Sequence, residues 1–382
     1  QSYLDLAGRR VGVLDGSTGQ RNMAQVAPSA VLVPYRSTGD LAAALEAGRD
    51  PREVAGLYFR DGREARLSGA RPYIENLDAL PFVSQVYQRH LDYTKYFYSI
   101  TQYPVVTIIT GRGCPYQCTF CQYPQTMHGH TYRYRSAENV AREFAWIEAN
   151  LPGVKEVFIE DDTLTVNRER VRRLAETLID QGSRLSWTAN SRCDVDEETL
   201  HWMRRAGCRL LCVGVESGSD EILKNIRKRL TVDRVRRFAR EAKKAGIMIH
   251  GCFMVGNPGE TKETMEQTFQ LAKELNFDTV QFFPLMVYPG TEAYEWALRN
   301  HYLTTRDFSE WVTEEGTHHC VVSRPGLSNQ ELVAFCHAAR RRYYLRPSYM
   351  LAKLKQVIVQ PAERRRILRA SRTFFKYLAK NV

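Results

Sequence analysis

Six apolar, strand-like runs alternating with six amphipathic helical stretches predict an α/β chain. The expected core is a partial (β/α)6 barrel, with a small N-terminal α/β remnant and a helical C-terminal extension. Three observations carry this. The alternation is regular from Val105 onward, it repeats six times rather than the eight of a closed barrel, and polar and cysteine-bearing motifs follow the apolar runs directly.

Residues 1–63 read as the small α/β piece, the end of a larger domain. They hold two apolar runs, Val11–Leu14 and Ala30–Val33, a helical stretch Asp40–Ala47, the strand-like Gly56–Phe59 and a turn at Asp61-Gly62. Residues 64–103 read as a linker that wraps the next domain, anchored by Leu80-Pro81-Phe82 and the aromatic run Tyr93–Tyr98. Residues 104–300 are the barrel. Strands are expected at 105–110, 156–160, 184–189, 209–215, 248–255 and 279–287, with helices at 136–150, 167–181, 196–206, 219–227, 232–246 and 261–275. Residues 301–382 form the extension, with helices at 328–343 and 347–379.

The net charge of +11 is concentrated. Residues 340–382 carry 13 Lys/Arg against a single acid, Glu363, while the remainder is almost neutral. The tail reads as a solvated helical face or as a contact for an anionic partner, a membrane surface before nucleic acid. There is no secretory signal and no apolar run long enough to span a bilayer, so a cytoplasmic location is expected. Of nine cysteines, none falls in the first 113 residues. An odd number with one tight triplet argues against a disulfide framework and for metal or redox chemistry. Cys212 and Cys252 lie in apolar runs and read as small packing residues.

The triplet is Gly111-Arg112-Gly113-Cys114-Pro115-Tyr116-Gln117-Cys118-Thr119-Phe120-Cys121, just after the first barrel strand. Three thiolates spaced Cys-x3-Cys-x2-Cys can each take one iron of a [4Fe–4S] cubane and leave the fourth iron open. An open iron can chelate the amino and carboxylate groups of S-adenosylmethionine. An electron passed to the sulfonium then breaks a C–S bond and yields a 5′-deoxyadenosyl radical. The competing assignment is a Cys3His zinc site completed by His128 or His130. Polar residues at later strand ends are candidates for the nucleoside or substrate. They are Glu160, Asp161 and Asp162 after strand two, Ser191 and Arg192 after strand three, Glu216 after strand four, Gly256 after strand five and Glu292 after strand six.

This cysteine loop on strand one of a sixfold βα pattern resembles the radical SAM superfamily over roughly residues 100–300. The resemblance implies that Asp161 and Asp162 meet the methionine ammonium, that Glu216 contacts Arg192 or the ribose, and that the strand holding Gly256 reads the adenine; Phe120 is a candidate to pack on the adenine, and Ser191 and Arg192 are candidates to bind the cofactor, Arg192 through the methionine carboxylate. Residues Asn76–Phe82, the Gly-Arg-Gly-Cys loop, Glu216-Ser217-Gly218 and Tyr288-Pro289-Gly290-Thr291 resemble, in that order, the cobalamin-dependent branch. Within it, Cys-Thr-Phe-Cys at 118–121, Pro124-Gln125-Thr126, Gly129-His130, Tyr132-Arg133 and Tyr343–Ser348 are similar to the hopanoid cyclitol-ether synthase group and the related apramycin-pathway diol dehydratase. Two features depart from these patterns. Gln122-Tyr123 stands where the hopanoid group has Leu-Trp, and no histidine precedes His90, so residues 1–89 lack the cobalt-ligating Asp-x-His-x-x-Gly. Either that domain lies outside this sequence or the enzyme does without cobalamin, and the expectation for the sequence as it stands is no cobalamin.

The resemblance implies hydrogen abstraction from an amino sugar or aminoglycoside precursor, with dehydration of a diol and an external electron donor. Glu160, Asp162, Glu216, Glu292, His128 and His130 are the catalytic acid–base candidates, the four carboxylates first. Ring contraction of a lipid-linked amino sugar and radical RNA modification are the alternatives.

Overall fold

The structure, a computed structural model, describes residues 10–14, 31–35, 48, 50, 52, 58–61, 64–70, 72–312 and 319–380. They fall into two units, residues 1–74 and 75–382. In the first, β1 (Arg10–Leu14) pairs in parallel with β2 (Val31–Tyr35), and β3 (Tyr58–Asp61) forms a hairpin with β4 (Glu64–Leu67). The helix expected at Asp40–Ala47 lies outside the described residues.

The second unit opens with a short helix, α1 (Ser84–His90). Its sheet has six strands, all parallel: β5 (Val105–Ile108), β8 (Glu156–Ile159), β9 (Ser186–Ser191), β10 (Cys208–Glu216), β11 (Met248–Val255) and β12 (Thr279–Pro284). Spatial order follows chain order from β5 to β12, so each βα unit adds to the same edge and the sheet curls without closing. A small antiparallel pair, β6 (Gly111–Arg112) with β7 (Arg133–Tyr134), pinches the loop after β5.

The connecting helices are α2 (Ala137–Asn150), α3 (Arg168–Asp180), α4 (Glu197–Arg205), α5 (Asp220–Asn225), α6 (Val232–Ala245), α7 (Lys262–Leu275) and α8 (Glu292–Arg299). Each starts at a polar cap whose side chain accepts a backbone N–H: Ser136, Asn167, Asp196, Ser219, Thr231, Thr261 and Thr291. Alternation along the strands sends Val157, Ile159, Leu211, Val213 and Phe282 outward against Phe144, Leu174, Leu200, Phe238 and Phe269 of the helices, all buried. The opposite face lines the lumen.

Two devices close the ends of this sheet. The last strand would leave an open edge, but α9 (Asn329–Tyr344) and the start of α10 (Pro347–Val359) cover it. Tyr344 Oη donates to the Val280 carbonyl (2.6 Å) and accepts from its N–H (2.8 Å), Tyr343 donates to Phe277 (2.6 Å) and Tyr349 to Asp278 (2.8 Å). At the N-terminal strand ends, α11 (Pro361–Lys380) inserts Glu363 and Arg366. Arg209 bridges Glu156 (2.8 Å) and Glu363 (3.3 Å), and Arg366 pairs with Glu363 (2.6 Å), all of them buried. The expected single helix over 347–379 is therefore two. The break falls at Gln360-Pro361, where proline ends one helix and starts the next.

Candidate active site

The cysteine loop leaves the C-terminal end of β5 and runs through left-handed Gly113 (φ +89°). A Cβ there would lie 2.2 Å from the Thr131 carbonyl oxygen, and one at Gly111 2.7 Å from the Tyr132 ring, so both glycines are required by close approach. Cys114 and Cys118 are buried and Cys121 is half-buried. Gln125 closes the loop from beneath. Its Nε2 donates to the carbonyls of Cys118 (3.0 Å), Thr119 (3.2 Å) and Cys121 (2.9 Å), and its Oε1 accepts the Glu292 N–H (2.9 Å).

Residues 226–228 dock against the same loop. The Ile226 carbonyl accepts the Thr119 N–H (3.2 Å), Cys118 Sγ lies 3.9 Å from the Arg227 carbonyl, and the Lys228 carbonyl accepts Arg192 (2.6 Å). Arg227 (φ +52°) and Arg229 (φ +53°) are both left-handed, a conformation that turns Lys228 between them inward. Lys228 Nζ meets Glu216 Oε1 at 2.7 Å and lies 5.8 Å from the Phe120 ring centroid. Glu216 is itself left-handed (φ +68°), at a bulge in the β10–β11 register. Its carboxylate needs the space that Gly214 leaves, since a Cβ there would lie 2.2 Å from Oε1. Arg192 stacks on Tyr116 (3.6 Å to the centroid) and pairs with Asp194 (3.1 Å). Burial opposes the charge on Lys228, but Glu216 and Cys118 outweigh it and hold the ammonium above its usual range. Two buried cations thus flank Cys118.

The remaining candidates divide by surroundings. Asp162 accepts the Gly113 N–H (2.8 Å) and meets His128 Nδ1 (2.8 Å), so it braces the cysteine loop. Asp161 is fully buried. Thr110 donates to it through N–H (2.5 Å) and hydroxyl (2.7 Å), with Arg170 at 3.9 Å. The carboxylate thereby ties β5 to β8 inside the wall. Ser191 is buried against Thr165 (3.0 Å). Gly256 (φ +95°) lies under Leu332 of α9, where a Cβ would come within 2.8 Å of that side chain. Glu160 is exposed at the mouth, and partial burial raises its carboxyl above the usual range. Glu292 forms an exposed pair with Arg227 (2.8 Å), on the outer side of the loop.

The chemistry of the three thiols fits an iron–sulfur cluster better than one zinc ion. Tetrahedral zinc with sulfur ligands holds them about 3.8 Å apart. Among the described residues, Cys114, Cys118 and Cys121 do not converge within 4.8 Å as a set, and only Cys212, His250 and Cys252 do. His128 Nδ1 is engaged by Asp162 and His130 Nδ1 by the Cys114 carbonyl (3.2 Å). Burial pushes the Cys121 thiol up to about 12 and raises Cys114, so metal loading displaces protons.

Sequence reasoning gave no role to Lys228, Gln125 or Tyr116, the last two being quoted only as members of motifs. A lysine after a short helix and a glutamine after a cysteine carry no periodic signal; only their contacts across the fold reveal them. Cys212 and Cys252, expected as packing residues, are half-buried, with their sulfurs 4.0 Å apart.

The Radical SAM superfamily model matches residues 108–272. An uncharacterized methyltransferase of Pyrococcus horikoshii is 31% identical over 313 residues, 82% of this chain and 66% of that protein. An anaerobic magnesium-protoporphyrin IX monomethyl ester cyclase of Cereibacter sphaeroides is 29% identical over 302 residues, 77% of this chain and 47% of that protein. The radical S-adenosylmethionine methyltransferase TsrM from Kitasatospora setae, solved with cobalamin and a [4Fe-4S] cluster bound, superposes with a TM-score of 0.64 at 18% identity, covering 89% of this chain and 80% of that one. Residues 108–272 thus carry a radical SAM superfamily domain, with a three-cysteine loop after the first strand of a six-stranded parallel partial barrel. The chain spans 66% and 47% of the two curated relatives.

Two expectations are corrected here. The diol dehydratase reading on an amino sugar, with its ring-contraction and RNA alternatives, does not stand, because the similar proteins are methyltransferases and a cyclase. The expectation of no cobalamin is overturned by a structural neighbour that holds it.

Proposed function

We propose that this chain is a radical SAM methyltransferase that works with cobalamin. The observation that carries the reading is the three-thiol loop, two thiols buried and one half-buried, flanked by Arg192 and Lys228, in a chain whose similar proteins include methyltransferases. Cys114, Cys118 and Cys121 hold the cluster, which when loaded supplies the electron that splits a sulfonium C–S bond. Arg192 and Lys228 offset the negative charge of thiolates and of a cofactor carboxylate. Glu216 keeps Lys228 charged and in place, and Gln125 fixes the loop's carbonyls. Glu160, exposed at the mouth with a raised carboxyl, exchanges protons with the acceptor.

The described residues identify no cobalt ligand. With no histidine before His90, a bound cobalamin takes no imidazole from residues 1–89, and no step is drawn through it. We further propose that the C-terminal helices rest on an anionic lipid surface. Leu351 (68% exposed), Ile358 (66%) and Leu354 (57%) form a stripe on α10 beside a strongly basic α11.

The test is anaerobic reconstitution with iron, sulfide and cobalamin, followed by S-[methyl-¹³C]adenosylmethionine, a reductant and a panel of acceptors. Transfer of the label to an acceptor, with about four irons per chain, is expected. Cobalamin that separates from the protein on gel filtration, or label that stays wholly in S-adenosylmethionine and its cleavage products, would refute the proposal. Cys118→Ala is expected to lose both iron and label transfer.

A further inference from the structure

We propose that Cys212, His250 and Cys252 form a second metal site on the lumen wall, built for a thiophilic divalent ion of the zinc class. The strand register makes the site. Cys212 on β10 stands opposite His250 on β11, and Gly214 opposite Cys252. In a parallel pair, residues two apart share a face, so Cys212, His250 and Cys252 project together. Their ligand atoms lie within 4.8 Å of one another, and the two sulfurs are 4.0 Å apart. Tetrahedral zinc holds two sulfurs about 3.8 Å apart at Zn–S near 2.3 Å, so loading asks for side-chain shifts of a few tenths of an ångström.

Thr279 on β12 meets His250 Nδ1 at 2.8 Å, which fixes the ring and leaves Nε2 to coordinate. The imidazole is buried, whereas both cysteines are half-buried and can be reached from the lumen. A disulfide does not account for the pair, since a bonded S–S distance is about 2.05 Å. Simple packing does not require an imidazole held by a threonine beside two thiols. Binding converts two thiols to thiolates: Zn²⁺ takes both sulfurs and the imidazole, two protons leave to solvent, and the first shell is neutral. Three protein ligands leave a fourth position toward the lumen for water or a heteroatom of the substrate.

The cluster loop would compete for added metal, so the test uses the Cys114→Ala/Cys118→Ala/Cys121→Ala chain, stripped and titrated with Co²⁺ and Zn²⁺. About one Co²⁺ per chain is expected, with a thiolate charge-transfer band and tetrahedral visible absorption that Zn²⁺ displaces. Adding Cys212→Ser and Cys252→Ser should abolish the band while the far-ultraviolet dichroism stays unchanged. Thr279→Val should weaken binding about 10–100-fold. Failure of the folded triple variant to take up metal would overturn the proposal. So would Co²⁺ spectra unchanged by the added serines, or loss of two titratable thiols without metal. If the triple variant does not fold, zinc and iron are counted separately in the wild-type and in Cys212→Ser/Cys252→Ser. Equal zinc in the two then overturns it. None of these readouts depends on methyl transfer or cobalamin.

Discussion

Lys228 is a cation the fold takes almost wholly out of water, and among the described residues its carboxylate partner is Glu216 at 2.7 Å. Removing one member of a buried pair strands the other, at a cost of about 3–5 kcal/mol. Lys228→Met should therefore lower unfolding stability by about that amount in urea titrations, and adding Glu216→Gln should restore much of it. A full loss that Glu216→Gln does not relieve would argue that Lys228 acts through packing alone. Glu363 is the acid-side counterpart. Burial raises its carboxyl, but Arg209 and Arg366 outweigh this and hold it below 4.5. A depressed carboxyl stabilises the fold above its unfolded value, and the contribution is lost as pH falls through the native one. Stability should fall as pH drops below about 4.5, and Glu363→Gln should show a flatter dependence over that window in denaturant titrations.

At the scale of elements, the cysteine loop is a turn whose path two glycines permit and whose position two neighbouring segments hold. Gly113→Ala puts a Cβ against the Thr131 carbonyl at a positive φ, so the loop must move. The expected result is iron content well below that of wild type after reconstitution, with the helical dichroism intact. Full iron loading would show that the loop tolerates the shift. The lesson about legibility belongs here too. Strand and helix positions followed from apolar periodicity, and the helices begin at the polar caps that the sequence displays. The cysteine spacing marked the loop that follows β5. Asp161 and Asp162 are adjacent in sequence, yet one ties strands together inside the wall and the other braces the loop, because neighbouring residues at a strand end point to opposite sides.

Over the whole molecule, the basic tail has two faces. Its single acid is the inward anchor, paired with Arg209 at the closed end of the barrel, while other basic residues of α10 and α11 and the apolar stripe of α10 face solvent. No helix among the described residues is long and apolar enough to cross a membrane. Contact with a bilayer would thus be at its surface. The chain should co-sediment with vesicles containing anionic lipid and release as salt rises. Leu351→Ser/Ile358→Ser should weaken binding to the same vesicles, and binding unchanged by that variant would remove the α10 stripe from the contact.

The sequence by itself determined the parallel βα sheet and displayed the three-cysteine loop, since both are written in local spacing: apolar residues at strand and helix periods, and three cysteines within one short turn. Tertiary structure alone decided which charged residues meet that loop and where Cys212 and Cys252 point. Those contacts join residues tens to hundreds of positions apart, and they depend on strand register and on left-handed turns that no local pattern encodes.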